Sequence, residues 1–296
     1  MPITHGPLGF LCSSNRSSED LLLCFKDDQN NLFRPYFKNS RFDHETYSFD
    51  QAQPALDALH HLRIPLIFVT SKTRSEVEEW RARLGNREPF IVENGGGIFV
   101  PEGYFPFSIP GGKPRPGYEV IEIGDPYESL VDALTTAAHN CHCPVRGFHE
   151  MTVNEIAAAC HIPLDQAQAA KNREFDEPFE ILDRGKEKHL LQAIQQLGKQ
   201  WTRGGRFHHI LGNNSKATAV QLLNDFYRRL DADLFTIGLG DSHNDLPLLK
   251  AVDRPILIRS AQSEEIRLKW PSLLITEKAG PEGWNDAILE SLAARE

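Results

Sequence analysis

The feature that most constrains the fold is an alternation of strand-like and helix-like segments near the carboxyl terminus. KATAVQLLNDFYRRL (216–230) has the apolar spacing of an amphipathic helix, DLFTIGLGD (233–241) is typical of a buried strand, and NDLPLLKAV (244–252) begins another helix. Parallel strands need such crossover helices, because a tight hairpin joins only antiparallel strands. The alternation therefore predicts an α/β fold in which helices cover a parallel sheet.

The same alternation occurs between residues 51 and 100. QAQPALDALHHLRI has apolar residues at helical spacing, and the short strand PLIFVT follows it. SEVEEWRARLG is a second helix, closed by Gly85, and PFIVENGGG is a strand that runs into a glycine turn. The two regions are expected to build one sheet.

Between about residues 101 and 200 the pattern changes. PEGYFPFSIPGGKPRPGYEV is dense in Pro and Gly, which indicates a loop excursion. Helical segments (127–140 and 155–160) and a strand candidate, EPFEIL, follow. Since 296 residues accommodate two domains, we predict an α/β core formed by residues 1–98 and 200–296 and an inserted α+β cap at residues 99–199.

Composition excludes several classes of protein. The 32 Lys and Arg residues against 41 Asp and Glu give a net charge of −9, which opposes binding to nucleic acid. No apolar run approaches the roughly 20 residues that span a bilayer, and the first residues lack the pattern of a secretory signal. Five cysteines are an odd number, which fits a reducing compartment. We therefore expect a cytoplasmic protein with no membrane segment.

A zinc site is a weaker alternative. The candidate ligands are Cys141, His142 and Cys143 with His139, and further along the chain Cys160 and His161. Structural zinc usually takes two cysteines at Cys-x2–4-Cys spacing with a second matching pair, which this segment does not provide. We favour ordinary thiols.

The most informative short segment is TIGLGDSHNDLPLL. Its strand delivers Asp241 and Asp245 to a turn at the carboxyl end, where open α/β sheets bind their ligands. Two carboxylates with Asn244 between them suit Mg2+, which prefers oxygen ligands. One of the aspartates could instead cap the following helix, but one cap is enough for a helix. The segment predicts a metal site.

Two further segments suit a phosphate group. VTSKT ends a strand in Thr70, Ser71 and Lys72, which bring hydroxyls, backbone amides and an ammonium group to one point. Lys216 lies at the start of a helix, where a cation can stabilise a phosphoryl group. Taken alone, each of these two signals is better explained by a solvated helix start.

Six segments, in order along the chain, resemble the mannosyl-3-phosphoglycerate phosphatase family of the haloacid dehalogenase superfamily. They cover the chain from about Asp43 to its end: VTSKTRSEVE, IVENGGG, REFDEPFEIL, GGRFHHIL, GLGDSHNDLPLL and GPEGW. The resemblance implies a Rossmann-like core with an inserted cap and a Mg2+-dependent phosphatase. Its substrate would be mannosyl-3-phosphoglycerate, hydrolysed to mannosylglycerate during compatible-solute synthesis.

The resemblance also implies roles for individual residues. Asp241 would bind the metal, supported by Asn244 and Asp245, while Thr70 would donate to the phosphoryl oxygens and Lys216 would offset their charge. Ser71 and Lys72 would assist substrate binding at the same strand end. Candidates for holding the sugar and the carboxylate are Arg173, Glu174 and Glu177 of the cap and Arg206 of the GGRF segment. A surface ion-pair network is the alternative for these residues, above all for Glu174. His208 and His209 are interpreted as half-buried, hydrogen-bonded histidines.

The superfamily's nucleophilic aspartate lies in Asp-x-Asp-Gly-Thr, which this sequence does not contain. An ungapped alignment puts Tyr36 and Lys38 at the two aspartate positions. A gapped alignment takes LLLCF as the first strand and makes Asp27 the nucleophile and a metal ligand, with Gln29 at the second aspartate position. The amino-acid composition of residues 1–42 differs from that of the rest of the chain, so we favour a misassigned start or reading frame there.

Two further hypotheses account for the missing motif. The chain could be an active enzyme that uses Asp27, or a catalytically impaired relative that binds a sugar phosphate or regulates a partner. A glucosyl-3-phosphoglycerate phosphatase is a further alternative, because one hydroxyl's orientation separates the two sugars. The sequence does not determine the oligomeric state.

Overall fold

The computed structural model describes residues 51–204 and 206–294, together with the backbone of residues 21–25. Asp27, Gln29, Tyr36 and Lys38 lie outside the described residues. Within them, the strands are β1 (Leu21–Phe25), β2 (Leu66–Val69), β3 (Phe90–Val92), β4 (Gly97–Pro101), β5 (Lys113–Arg115), β6 (Tyr118–Glu122), β7 (Val145–Gly147), β8 (Asp176–Ile181), β9 (Gln200–Arg203), β10 (His208–Leu211), β11 (Phe235–Gly240), β12 (Arg254–Arg259) and β13 (Leu274–Ala279).

The helices include those predicted from apolar periodicity. They are α1 (Gln53–Leu62), α2 (Arg74–Leu84), α3 (Tyr127–Cys141), α4 (Val153–Cys160), α5 (Leu164–Lys171), α6 (Glu187–Gln196), α7 (Lys216–Arg228), α8 (Leu246–Leu249), α9 (Ser263–Lys269) and α10 (Gly280–Ala293). Helix α2 ends at Gly85, whose φ of 61° is the left-handed conformation expected of a C-terminal glycine. Among the described residues, no helix is long and apolar enough to cross a membrane.

The larger sheet has the order β13-β12-β11-β1-β2-β3-β4-β6-β5. Its strands from β13 to β3 are parallel, and β4, β6 and β5 extend it as an antiparallel meander. Successive residues of β2 face opposite sides, so Phe68 packs with residues of α1 and α10 while Ile67 packs with residues of α7. Burial on both faces confirms the predicted α/β fold with a helix-covered parallel sheet.

A smaller antiparallel sheet has the order β7-β8-β10-β9. Helices α3 and α6 cover one of its faces, and the apolar side chains between them include Leu134, Leu190, Phe179 and Ile210. Its four strands all lie between residues 145 and 211. This sheet is the structural centre of the segment predicted to be inserted.

Strand membership divides the chain at positions that differ from the predicted domain limits. Strands β5 and β6 pair with the larger sheet, whereas β9 and β10 pair with the smaller one. The two connections between the sheets run side by side, because a Cβ added at Gly212 would lie 2.8 Å from the Asp125 nitrogen. The division into core and inserted cap stays a prediction, and the sheets favour limits near Gly124 and Gly212.

Candidate active site

The candidate site is built where three parallel strands end together. Strand β1 pairs with β11 on one side and β2 on the other, with Cys24 opposite Gly238 and Phe25 opposite Phe68. Thr70 directly follows β2, and Asp241 directly follows β11. The structure therefore brings two of the sequence-predicted segments to one edge of the sheet, as expected for an open α/β fold.

Asp245 organises the turn after β11. Its Oδ2 atom accepts hydrogen bonds from the backbone nitrogens of Asp241 (3.0 Å) and Ser242 (3.2 Å) and from the Ser242 hydroxyl (3.0 Å). Gly240 permits this close approach, since a Cβ there would lie 2.4 Å from the Asp245 Cβ. Asp245 thus closes the turn, while the Asp241 carboxylate is half-buried beside it.

Lys216 reaches this turn from the first residue of α7. Ser215 caps the helix by accepting from the Thr218 nitrogen (3.1 Å). The Lys216 Nζ atom lies 3.1 Å from the Asp245 Oδ1 atom, and the side chains are 1% and 0% exposed. Because the pair is buried, its charges are weakly screened by solvent.

The Thr70 segment forms a tight polar turn. The buried Thr70 hydroxyl accepts from the Lys72 nitrogen at 3.1 Å. The Lys72 Nζ atom lies 3.0 Å from the Glu76 Oε1 atom and 5.1 Å from the Trp80 ring centroid. Burial would raise the pKa of Glu76, but Lys72 and the Thr73 amide hold it below the ordinary value. Lys72 is therefore positioned by α2, and Ser71 lies buried between it and Thr70.

The turn after β3, which was predicted only as a glycine turn, joins these segments. Asn94 donates its backbone N–H to the Thr70 carbonyl (2.9 Å) and accepts from the Asn244 side-chain amide at Oδ1 (3.1 Å). Its backbone carbonyl accepts from the Asn214 amide (3.3 Å), and its own amide donates to Asp176 Oδ2 (2.7 Å). Asparagine followed by glycine was the available sequence signal, since asparagine adopts the left-handed conformation, here with a φ of 59°, more readily than most other non-glycine residues.

Glu93, the residue before Asn94, is buried against the start of β8. Its carboxylate accepts from the backbone nitrogens of Glu174 (3.0 Å), Phe175 (2.8 Å) and Asp176 (2.9 Å) and lies 3.6 Å from the Arg173 guanidinium. Burial nevertheless raises the pKa of Glu93 to about 7, against the lowering effect of Arg173 and these amides. This residue attaches the smaller sheet to the turn after β3.

We expect protonation of Glu93 to affect stability. Its pKa is raised from 4.5 to about 7, so its contribution to the free energy of unfolding is full below pH 4.5 and is lost as the pH rises through 7. The free energy of unfolding should fall over this range with a slope of up to about 1.4 kcal/mol per pH unit from this group. Urea unfolding across the range should give a shallower slope for Glu93→Gln, and parallel curves would contradict the assignment.

The predicted cap residues are not all on the same side of their sheet. Arg173 is buried and binds the Ser71 carbonyl (2.9 Å) and Asp176. Glu177 lies on the opposite strand face from Asp176, and its carboxylate accepts from the Tyr127 hydroxyl and from the His149 ring, both at 2.7 Å. Through this contact, the pKa of His149 is raised. The proposed substrate contacts of Arg173 and Glu177 stay predictions.

The remaining candidates also have protein partners. Arg206 is exposed and lies 3.4 Å from a nitrogen of His161. Glu174 pairs with Arg115 and with Arg74 at 3.4 Å, the ion-pair network given as its alternative.

The two histidines of β10 have carboxylate partners on opposite faces of the strand. His208 lies 3.2 Å from Glu187, and burial lowers its pKa. His209 lies 3.2 Å from Asp176, on the face directed to the core. Of the pair, His209 is the one placed close to the Asn94 turn.

A cleft of about 450 Å³ lies between the two sheets. It is lined by polar side chains from β9 and from the loop before α7, among them Gln200, Thr202, Asn213, Asn214 and Lys216. The Thr202 hydroxyl donates to the Asn244 Oδ1 atom at 3.0 Å, so the edge strand of the smaller sheet contacts the turn after β11. The cleft can offer amide and hydroxyl groups to a polar ligand next to Lys216.

The oxygen atoms at the sheet edge partly match the ligands that a hard divalent cation needs. Asp241 supplies a carboxylate, whereas both oxygens of Asp245 and the side chain of Asn244 are engaged in the contacts given above. Within the described residues, no three His, Cys, Asp or Glu side chains form a group able to hold a metal ion. Cys141, Cys143 and Cys160 form no disulfide with one another. Asp27 lies outside the described residues.

Several named phosphatases are similar to this chain in sequence. The chain is 39% identical over 254 residues to a glucosyl-3-phosphoglycerate/mannosyl-3-phosphoglycerate phosphatase of Methanococcoides burtonii, covering 84% of this chain and 92% of that protein. It is 39% identical over 248 residues to a protein of the same name from Persephonella marina, covering 83% and 91%. A mannosyl-3-phosphoglycerate phosphatase of Pyrococcus furiosus is 35% identical over 219 residues, covering 74% and 87%. No family model matches the chain.

Solved structures share the fold. A phosphatase of the haloalkanoate dehalogenase superfamily from Bacteroides thetaiotaomicron superimposes with a TM-score of 0.60 at 19% identity, covering 93% of this chain and 97% of that one. The sucrose-phosphatase of Synechocystis gives 0.57 at 13% identity, covering 92% and 98%. The identities to the named relatives, over most of their length, establish the family, and the chain belongs to the family of glucosyl-3-phosphoglycerate/mannosyl-3-phosphoglycerate phosphatases.

Proposed function

We propose that this chain is a Mg2+-dependent phosphatase that hydrolyses mannosyl-3-phosphoglycerate to mannosylglycerate and phosphate. The observation that carries the proposal is the buried Lys216–Asp245 pair at the sheet edge where Thr70 and Asp241 also lie. A buried lysine that is held beside these strand ends offers a fixed positive charge to a phosphoryl group. The names of the relatives from Methanococcoides burtonii and Pyrococcus furiosus support the substrate class.

The reaction would proceed through an aspartyl-phosphate. A carboxylate oxygen of the nucleophile forms a bond to phosphorus as the bond between phosphorus and the glycerate oxygen breaks, and the departing glycerate oxygen takes a proton from water. Water then attacks the same phosphorus, which releases phosphate and restores the carboxylate. Lys216 offsets the charge on the phosphoryl oxygens, and Thr70, whose hydroxyl accepts from the Lys72 nitrogen, donates its hydrogen to one of them.

Mg2+, when bound, would neutralise phosphate charge and favour in-line attack. Asp241 and the nucleophile would hold it. Asp245 and Asn244 would act by fixing the turn, because their side chains are engaged with Lys216, with backbone nitrogens and with Thr202.

In the present sequence, Asp27 is the proposed nucleophile. Strand β1 occupies the position between β11 and β2, and Asp27 follows its last residue, Phe25, by two positions. Gln29 at the second aspartate position would not protonate the leaving oxygen, and loss of general acid–base help typically costs about 10²–10⁴-fold in rate.

The cleft between the sheets would bind the glycosyl and glycerate groups. Its amide and hydroxyl lining suits sugar hydroxyls. We also propose five substrate-binding residues outside this lining: Ser71, Lys72, Arg173, Glu177 and Arg206. Closure of the smaller sheet over the cleft would exclude water and select the sugar. A cytoplasmic location, expected from the cysteine content, belongs to the same proposal.

The test is a substrate panel with the purified 296-residue chain. We expect Mg2+-dependent release of phosphate from mannosyl-3-phosphoglycerate and no release after Asp27→Asn, and the rate with the glucosyl compound shows which sugar the chain prefers. A faster rate with the glucosyl compound would reverse the sugar assignment. Unchanged activity of Asp27→Asn would rule out Asp27 as the nucleophile.

The absence of Asp-x-Asp-Gly-Thr from the sequence supports a second candidate, a non-catalytic protein that binds a sugar phosphate. Calorimetry with mannosyl-3-phosphoglycerate and Mg2+ distinguishes the two. Binding without phosphate release would favour the second candidate and reject the enzyme for this chain.

A further inference from the structure

Asn94 contacts four segments that surround the candidate site. Its hydrogen bonds join the Thr70 carbonyl after β2, the Asn214 amide before α7, the Asn244 amide after β11 and the Asp176 carboxylate at the start of β8. Three of these segments carry the proposed phosphate and metal residues, and the fourth belongs to the smaller sheet. The side chain is 2% exposed, so these contacts are shielded from water.

The backbone of the turn is held as closely as the side chain. Glu93, Asn94 and Gly95 all have positive φ, at 48°, 59° and 87°. A Cβ added at Gly95 would lie 2.2 Å from the Ser215 carbonyl oxygen and 2.9 Å from the Lys216 nitrogen. The start of α7, and with it Lys216, therefore packs directly on this turn.

The polarity of the Asn94 side chain is matched to its partners. Its Oδ1 atom accepts from Asn244, and its Nδ2 atom donates to Asp176. The same Asp176 carboxylate also accepts from Arg173 and lies 3.2 Å from the His209 ring. An oxygen in place of the Asn94 nitrogen would face a carboxylate oxygen at the centre of this network.

We propose that Asn94 is a positioning residue that holds β8 of the smaller sheet and the Asp241–Asp245 turn in one arrangement around the reacting phosphoryl group. The inference rests on the proposed phosphatase function. Asn94 acts on the site through Asn244, Asp176 and the start of α7. Loss of the side chain should therefore slow the chemical step more than it weakens substrate binding.

Three variants separate the side chain from the backbone. Asn94→Gly keeps the left-handed conformation and removes the side chain. Asn94→Asp keeps the shape and puts an oxygen opposite Asp176, whereas Asn94→Asp with Asp176→Asn restores a donor and an acceptor at this contact. Asn86→Gly is the matched control: Asn86 also bonds a strand, donating to the Leu66 carbonyl at 2.8 Å, but at the opposite end of β2.

We expect Asn94→Gly to lower kcat for mannosyl-3-phosphoglycerate by about 10–100-fold, as is typical of residues that orient catalytic groups, with a smaller change in KM. Asn94→Asp should be impaired similarly, and the double variant should recover kcat by about tenfold over it. Asn86→Gly should lower the urea midpoint with little effect on kcat. Equal kcat for Asn94→Gly and Asn86→Gly, or no recovery in the double variant, would overturn the proposal.

Hydrogen exchange gives a readout that does not depend on turnover. Asn94→Gly should speed exchange of the backbone amides of residues 241–245 and of β8, and Asn86→Gly should not. If the wild-type chain releases no phosphate from either glycosyl substrate, the proposed function fails, and exchange alone decides the role of Asn94. Unchanged exchange at both segments would reject the positioning role.

Discussion

Replacing Asp241 by asparagine should reduce kcat/KM for mannosyl-3-phosphoglycerate by about 10²–10³-fold or more and abolish the response to Mg2+. Asp241 directly follows β11, and its half-buried carboxylate lies beside the turn that Asp245 closes. The turn itself should survive, because Asp245 binds the backbone nitrogens of residues 241 and 242. The measurement is phosphate release at increasing Mg2+ concentration.

Asp253→Asn is the matched control for this variant. Its carboxylate accepts from the Thr236 nitrogen (2.8 Å) and hydroxyl (2.7 Å), at the opposite end of β11 from the candidate site. This change should lower stability and leave the Mg2+ response intact. Thermal unfolding with and without Mg2+ adds a second readout, since an ion that binds the folded state raises the midpoint. An Asp241→Asn protein that retains Mg2+-dependent turnover would exclude Asp241 as the metal ligand.

Replacing Lys216 by methionine should affect stability and activity together. Removal of the ammonium group leaves the Asp245 carboxylate buried without its charged partner, and breaking such a pair costs about 3–5 kcal/mol in the free energy of unfolding. Loss of the fixed positive charge should also lower kcat by about 10²–10³-fold. Urea unfolding and steady-state kinetics on the same preparation measure the two effects.

A second change separates the structural effect of Lys216 from the catalytic one. Lys216→Met combined with Asp245→Asn removes both charges and keeps an oxygen to accept from the backbone of the turn, so much of the lost stability should return while activity stays low. Lys269→Met, which breaks an exposed pair with Glu265, should cost about 0.3–0.5 kcal/mol and leave kcat unchanged. Recovery of activity along with stability would show that Lys216 has only a structural role.

Local sequence patterns predicted the centre of the site because its residues follow strands directly. Thr70 and Asp241 stand at strand ends, and parallel topology brings such ends together. Lys216 starts a helix whose apolar periodicity was visible in the sequence. These predictions needed only the order of elements and the rule that open sheets bind ligands at one edge.

The turn at Asn94 and the contacts of the smaller sheet were not predictable in this way. Asn94 and Asp176 are 82 residues apart, and no local pattern indicates that their side chains meet. The first four residues of β8 are all buried, so the sequence lacks the alternation that would have separated Glu177 from Asp176 by strand face. The predicted cap limit at residue 199 falls before β9 and β10, which pair with the smaller sheet.

The most direct test of the proposed site compares phosphate release from mannosyl-3-phosphoglycerate by the wild-type chain and by Lys216→Met, purified in parallel, with saturating Mg2+ and with chelator. We predict turnover by the wild-type chain that requires Mg2+ and falls by about 10²–10³-fold in the variant. Equal rates for the two proteins, or no release by the wild-type chain, would contradict the assignment of phosphatase chemistry to this cluster.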